Sequence, residues 1–223
     1  MFDRLIKLIG EDKLKEIDSK RILLIGVGGV GSSALEALVR NGFNHITVVD
    51  YDTVDITNLN RQLITNSSNI GNLKVNEAYT RAKLIRPDIN ISTQNIKITS
   101  DNLLTLIDSG YDYIIDACDD INVKYELIYY SMKMDYKLIE SMGTAKKIDP
   151  SKLSITTLDK TYNDPLARKL RYMVRKNHIN TKVKVVSSSE IPKKINDKGT
   201  CSLVPNYAGI LLVSYILNDI LNK

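Results

Sequence analysis

The sequence predicts an α/β protein: a Rossmann-like, mostly parallel sheet with helices on both faces and a C-terminal α/β elaboration. Three observations carry that expectation. Short apolar runs recur at 21–25, 45–49, 111–117 and 137–140 and read as buried strands. Segments of helical periodicity separate them, which requires right-handed crossovers and a parallel sheet. The first run leads directly into Gly26-Val27-Gly28-Gly29-Val30-Gly31, a glycine-rich turn of the kind that opens a nucleotide-binding βα unit.

Taken in order, residues 11–17 read as a short lead-in helix, and 21–25 is an apolar strand closed by Gly26. Val30, Ala34, Ala37 and Leu38 then share one helical face, and Gly42 marks that helix's end. Residues 45–49 form a strand ending at Asp50. The polar stretch 51–72 is long for a connection in a compact domain, a length that often accompanies function. A helix over 73–85 stops at Pro87, 89–98 alternates as a strand, and a short helix lies near 103–108. A buried strand covers 111–117, a helix 122–134, and a strand 137–140 is closed by Gly143.

Beyond residue 150, the stretches 153–158 and 183–186 read as strands on either side of a basic helix. Asp164 caps that helix and Pro165 opens it, and it runs to about Lys176. The most apolar stretch, 203–221, carries Pro205, Asn206, Ser214, Asn218 and Asp219, so it reads as a buried helix and a poor membrane span. No repeat, low-complexity tract or clear linker interrupts the 223 residues. The expectation is one domain, with a nucleotide-binding core over 1–150 and a basic elaboration with a closing helix over 151–223.

Composition excludes several classes. Hydrophobic content of 43% with 26% charged residues argues against wholesale disorder. Two cysteines, Cys118 and Cys201, build neither a disulfide framework nor a four-cysteine zinc site, and they fit a reducing, cytoplasmic setting. Charges within Met1-Phe2-Asp3-Arg4-Leu5-Ile6-Lys7 come too early for a signal peptide. His45 and His178 have no partners at metal-ligand spacing. The net charge of +5 is uneven: residues 165–200 hold ten Lys/Arg against Glu190 and Asp197, a net +8, so the rest of the chain sums to −3. Arg168, Lys169, Arg171, Arg175 and Lys176 lie on the predicted helix, and Lys182, Lys184, Lys193, Lys194 and Lys198 follow. Such clustering suits an anionic macromolecule whose counterions it displaces; a solvated basic loop is the alternative.

The glycine loop brings backbone N–H groups and a helix start against phosphate or ribose oxygens, and Asp50 stands where an acid takes ribose hydroxyls. These features alone permit a nicotinamide-dependent oxidoreductase. Thr57-Asn58-Leu59-Asn60-Arg61-Gln62 followed by Gly71-Asn72-Leu73-Lys74 adds an amide, a guanidinium and an ammonium. A leaving pyrophosphate needs such cations and a hydride transfer does not; solvated surface charge is the alternative. Asp116-Ala117-Cys118-Asp119-Asp120 ends a strand with carboxylates that could hold Mg²⁺ with the phosphates or cap the next helix.

In combination, GVGGVG, Asp50-Tyr51-Asp52 with TNLNRQ, Gly71-x-x-Lys74 and IDACDD resemble the ThiF/MoeB/HesA superfamily of ubiquitin-activating-like adenylating enzymes over about residues 20 to 143. Ser141-Met142-Gly143-Thr144-Ala145 with Asp149-Pro150-Ser151 narrows the likeness to the TcdA (CsdL) branch, the tRNA threonylcarbamoyladenosine dehydratases. Asp159-Lys160-Thr161 with Pro165-Leu166-Ala167-Arg168 and Val204-Pro205-x-x-Ala208-Gly209 extends it over almost the whole chain.

The resemblance implies ATP with Mg²⁺, the nucleotide lying on Gly26, Gly28, Gly29, Gly31, Asp50 and Asp52, with Gly29 and Asp50 on its adenosine half. Asn58, Arg61 and Lys74 would hold the phosphates, and Asp119 would be the catalytic, Mg²⁺-linked aspartate, followed by Asp120. Arg4 would act in a neighbouring subunit's site, because such proteins are usually homodimers. Arg168, Lys169, Arg171, Arg175 and Lys176 would hold the anticodon stem-loop of a tRNA bearing threonylcarbamoyladenosine, and sulfur-transfer proteins are further partners it admits. Thr144 and Cys118 depart from the usual residues at their positions, and the two C-x-x-C zinc pairs of MoeB- and ThiF-type relatives are missing. That absence and the +8 segment weigh against the rival reading, adenylation of a ubiquitin-like sulfur carrier. Cys118 and Cys201 read as structural, so no enzyme thioester is expected.

Overall fold

The computed structural model describes residues 1–197 and 199–222. A seven-stranded sheet has the order β3-β2-β1-β4-β5-β7-β6. Its strands are β1 Arg21–Ile25, β2 His45–Asp50, β3 Asn90–Asn95, β4 Tyr113–Asp116, β5 Lys137–Ser141, β6 Leu153–Thr157 and β7 Lys184–Ser188. All neighbours pair in parallel except β6, which runs antiparallel to β7 at the edge. The chain builds outward from β1 to β3 and then returns to place β4 beside β1. That reversal opens a crevice at the carboxyl ends of β1 and β4, where open α/β sheets bind their ligands.

Two helical layers cover the sheet: α1 Asp3–Ile9, α2 Glu11–Ser19, α3 Gly29–Arg40, α4 Lys74–Ile85, α5 Ser100–Ile107, α6 Ile121–Ser131, α7 Pro165–Lys176 and α8 Leu203–Leu221. Alternation along β1 explains the division. Ile22 and Leu24 face a core with α2, α3, α4 and α8, while Leu23 and Ile25 face one with α5, α6 and α7. β7 splits in the same way, Val186 into the first core and Val185 into the second. Residues beyond 150 therefore extend the same sheet and complete both layers.

The elements follow the expected pattern with local differences. Residues 96–98 leave the sheet, so β3 is shorter than the alternation suggested. α6 ends at Ser131 rather than 134. α1, which the sequence did not announce, is a short helix with no side-chain cap and no buried residue.

α8 is long and apolar enough by composition to cross a membrane, but it packs within the fold against α3, β5, β6 and β7. The approach to α3 is close. Ser33 Oγ donates to the Asn206 carbonyl at 2.9 Å. A Cβ on Gly209 would collide with Val30 O and Ser33 Oγ and stand 2.8 Å from Ala34 N. Because those atoms belong to α3 at the glycine loop, the two helices must separate to admit even a methyl group. Gly209→Ala is expected to cost about 1–3 kcal/mol, read as a lower urea midpoint; an unchanged midpoint would show that the crossing relaxes freely.

Candidate active site

The crevice is a cavity of about 910 Å³. Gly26, Gly28 and Gly29 line it from the loop after β1, and Asp50, Tyr51 and Asp52 from the end of β2. Asn58, Arg61, Gln62 and Lys74 come from the long polar loop and α4. Cys118, Asp119 and Asp120 follow β4, Ser141 ends β5 and Met142 to Lys147 follow it, and Asp164 to Leu166 open α7. Four strand ends thus converge there, as parallel order requires.

The glycine loop leaves the start of α3 uncapped: Gly28 occupies the cap position and no side chain bonds the first turn. Its N–H groups and positive dipole end face the cavity, an arrangement that favours anions. Asp50 holds the loop in place, accepting from Val27 N at 2.7 Å and from Asp52 N at 2.9 Å. Each oxygen keeps a further acceptor position for a ribose hydroxyl. Gly31 does not line the cavity; a Cβ there would collide with Gly26 O and lie 2.8 Å from Gly26 C. It is a packing glycine that lets α3 start directly on the turn.

The polar loop is ordered by its own short side chains. Asp55 accepts from Thr57 N at 2.8 Å while Asn58 Oδ1 accepts from Asp55 N at 3.1 Å, a reciprocal cap on the turn Ile56–Asn58. The loop's ends meet where Thr53 bridges Leu73. That closure brings Lys74, only 5% exposed, to 2.8 Å from the Asp52 carboxylate. Arg61 lies across the start of α3, its Cγ 3.4 Å from where a Gly29 Cβ would be. Its guanidinium donates to Thr57 O at 2.6 Å and Asn60 Oδ1 at 3.0 Å.

The two carboxylates after β4 have separate duties. Asp120 caps α6, accepting from Asn122 N at 2.8 Å. Asp119 is exposed within the cavity. Carboxylates crowd Tyr51: Asp52 foremost, then partial burial, Asp119, Asp50 and Asp120 push its phenol above the ordinary range. Among the described residues no group of three His, Cys, Asp or Glu side chains forms a metal cage. A Mg²⁺ that keeps waters and takes phosphate oxygens needs only one or two carboxylates. The negative field around Tyr51, with Asp119 not serving as the cap, fits that requirement.

A buried trio of ionisable groups, Asp116 at the end of β4, Lys124 on α6 and Glu140 on β5, lies outside the cavity lining, so Asp116 is neither a metal ligand nor the helix cap. Asp116 and Lys124 are both 0% exposed and 2.9 Å apart. The other Asp116 oxygen accepts from Cys118 N at 3.0 Å, which fixes the turn leading to Asp119. Burial opposes the Lys124 charge, but the Asp116 carboxylate outweighs it and raises the ammonium pKa. Glu140 pairs with Asp116 in the parallel register, and neither of its oxygens finds a partner among the described residues. Burial pushes Glu140 well above the carboxylate range; Lys124 pulls against this and Asp116 adds to it.

The folded chain therefore keeps the Glu140 proton at pH values where the unfolded chain, with an ordinary glutamate pKa of about 4.3, has lost it. Ionisation favours unfolding, and Glu140 subtracts stability as pH rises above that value. Glu140→Gln is expected to melt higher than the parent at pH 7 and to lose that advantage below about pH 4. Parallel melts at the two pH values test this, and a difference independent of pH would contradict it.

Several site residues had no sequence signal. Lys147 is buried and pairs with Asp164 at 2.9 Å, while its ammonium also donates to Gly143 O at 2.8 Å. Asp164 caps α7 through Ala167 N at 2.9 Å, as expected. Lys97 and Lys146 also line the cavity. Burial, reinforced by the Asp116 charge, raises the Cys118 thiol, which disfavours the thiolate, and Cys201 packs its sulfur 3.5 Å from Lys147 O. Arg4 is exposed on α1, outside the cavity. Arg168, Arg171, Arg175 and Lys176 gather around a second, shallow concavity with Tyr172. Lys169 is exposed outside that concavity, and Lys198 lies outside the described residues.

This chain is similar to several known proteins. The family model described as the ThiF family matches residues 2–221. The tRNA threonylcarbamoyladenosine dehydratase of Bacillus subtilis (strain 168) is 36% identical over 239 aligned residues, covering 99% of this chain and 94% of its own length. The Escherichia coli (strain K12) protein of the same description is 38% identical over 165 residues, 74% of this chain and 62% of its own. The crystal structure of E. coli tRNA N6-threonylcarbamoyladenosine dehydratase in complex with ATP matches with a TM-score of 0.94 at 33% identity, over 100% of this chain and 94% of that one.

Proposed function

The chain belongs to the ThiF family, and on that premise we propose that it is an ATP-dependent tRNA threonylcarbamoyladenosine dehydratase. One observation carries this reading: the glycine loop, Arg61, Lys74 and Asp119, far apart in sequence, line a single cavity at the switch of the parallel sheet. The threonyl carboxylate of the modified adenosine attacks the α-phosphate of ATP, forming an acyl-adenylate and releasing pyrophosphate. The carbamoyl oxygen then closes onto the activated carbonyl, AMP leaves with one carboxylate oxygen, and a cyclic ester results. Water has in effect been removed, and no enzyme nucleophile is used.

In this reading Asp50 takes the ribose, and the N–H groups at Gly28 and Gly29 face the phosphates. Asn58 and Arg61 hold the phosphate chain. Lys74, with three donors of which Asp52 takes one, reaches the charge that moves onto pyrophosphate. Asp119 would hold Mg²⁺ with the phosphates, and the ion would supply charge neutralisation there. The cationic face of α7 holds the RNA.

A homodimer is part of the same reading. α8 leaves Leu203, Tyr207 and Ile210 exposed, an apolar surface that a second copy would cover, and Arg4 would then serve the partner's cavity. A reducing cytoplasmic location suits both the substrate and the free cysteines.

The test is mass spectrometry of nucleosides after incubation with MgATP and tRNA carrying threonylcarbamoyladenosine. Loss of one water from that nucleoside, with tRNA-dependent AMP release, is the expected result. Absence of tRNA-dependent AMP would overturn it. Pyrophosphate exchange that required a protein ending in Gly-Gly would replace the RNA by a sulfur carrier.

A further inference from the structure

α7 joins the cavity to a charged surface. Pro165 and Leu166, at its start, line the cavity, while Arg168, Arg171, Tyr172, Arg175 and Lys176 line a separate concavity of about 550 Å³. These five positions are i, i+3, i+4, i+7 and i+8, one continuous helical face. The opposite face, Ala167, Leu170 and Val174, is buried in the core that α7 shares with α6. The outward face is therefore held toward solvent by the core, and it consists of four cations around one ring.

The cations are crowded. Burial and the neighbouring Arg175 and Arg168 charges lower the Arg171 guanidinium, against a partial offset from Asp164. Arg171 is tied down by the Thr161 carbonyl at 2.8 Å and by the Thr161 hydroxyl. Like charges gathered at close range without an anion between them cost free energy, which phosphates would return. Phosphates alone, however, do not explain the ring. Tyr172 is 67% exposed among these charges, where an aliphatic or polar residue would leave the cationic face intact.

Exposed aromatics between backbone-holding cations stack unpaired bases, and duplex recognition makes no use of them because its bases are already stacked. We propose that Tyr172 is a stacking platform for an unpaired base, so that α7 reads loop nucleotides beside the reacting nucleoside rather than a helical stem. This rests on the reading that the substrate is RNA.

Distance supports the placement. At ~1.5 Å per residue, Arg168 to Arg175 lie ~4.5 to ~15 Å along the axis from the cavity edge at Pro165. With phosphates advancing ~3.4 Å per stacked nucleotide, that span corresponds to nucleotides roughly one to four steps from the one in the cavity. Tyr172, at ~10 Å, falls within the same run.

The test measures anisotropy of labelled RNA against the full chain, using an anticodon stem-loop and a blunt duplex of equal length. Tyr172→Ala is expected to weaken stem-loop binding by about 5- to 100-fold and to leave duplex binding unchanged, while Tyr172→Phe stays within about twofold of the parent on both. Tyr79→Ala, an exposed tyrosine on α4, serves as the control with no expected change. Parental stem-loop affinity in Tyr172→Ala would overturn the proposal. So would equal losses on stem-loop and duplex, or a loss in Tyr172→Phe as large as in the alanine variant. The readout does not require turnover, so a chain that binds the loop through Tyr172 but releases no AMP would sink the dehydratase reading alone.

Discussion

Asp119→Ala is expected to reduce tRNA-dependent AMP release by about 10²–10³-fold, with tRNA affinity within about twofold and almost no change in the denaturation midpoint. The geometry separates chemistry from stability at this point of the chain. Asp120, not Asp119, caps α6, and Asp116 already fixes the preceding turn through Cys118 N. Asp119 is exposed in the cavity that Arg61 and Lys74 line, so its removal takes away a carboxylate from the phosphate-binding space and little packing. Surface substitutions of that kind usually fall within about 0.5 kcal/mol in stability. Asp120→Ala makes the contrast, because losing an N-cap costs about 1 kcal/mol and shows in the melt. Single-turnover AMP formation alongside a urea titration tests both. Parental AMP release in Asp119→Ala, or a fall in turnover matched by a fall in midpoint, would remove Asp119 from the role assigned to it.

The parts of this site legible in the sequence share a property: their signals are local. Gly26 to Gly31 announces a turn, Asp164-Pro165 a capped helix, and the run ending at Asp116 a strand whose carboxyl end must face the crevice. The long polar stretch was legible as important but not as a structure. Its order comes from Asp55 and Asn58 capping each other and from Asn69 bonding Glu77 at 2.7 Å, pairings that only a folded loop selects. Lys147 and Lys124 carried no signal, because periodicity places a residue on a helix or loop without saying what lies opposite. Lys124 meets Asp116 across eight residues, and Glu140 meets Asp116 only through the parallel register of β4 and β5. Gly31 was legible as part of a motif, but whether it touches a nucleotide or a neighbouring backbone depends on how α3 docks.

That buried trio supports the second large effect. Lys124→Met is expected to cost about 3–5 kcal/mol, because it leaves the Asp116 carboxylate buried without its counter-ion beside a neutral Glu140. For a chain of this size the loss corresponds to a fall in melting temperature of roughly 6–20 °C. The loss reflects an uncompensated charge rather than the worth of the pair, so removing both charges should recover much of it. Lys124→Met combined with Asp116→Asn is accordingly expected to be more stable than Lys124→Met alone, and the coupling measured by the double-mutant cycle should exceed about 1 kcal/mol. Asparagine also keeps an acceptor for Cys118 N, which separates the charge from the turn it orients. If the double variant keeps its midpoint yet releases AMP slowly, Asp116 acts by positioning Asp119. If Lys124→Met unfolds within about 1 kcal/mol of the parent, the interior around Asp116 admits water or a shifted proton, and the trio is not the anchor that its complete burial indicates.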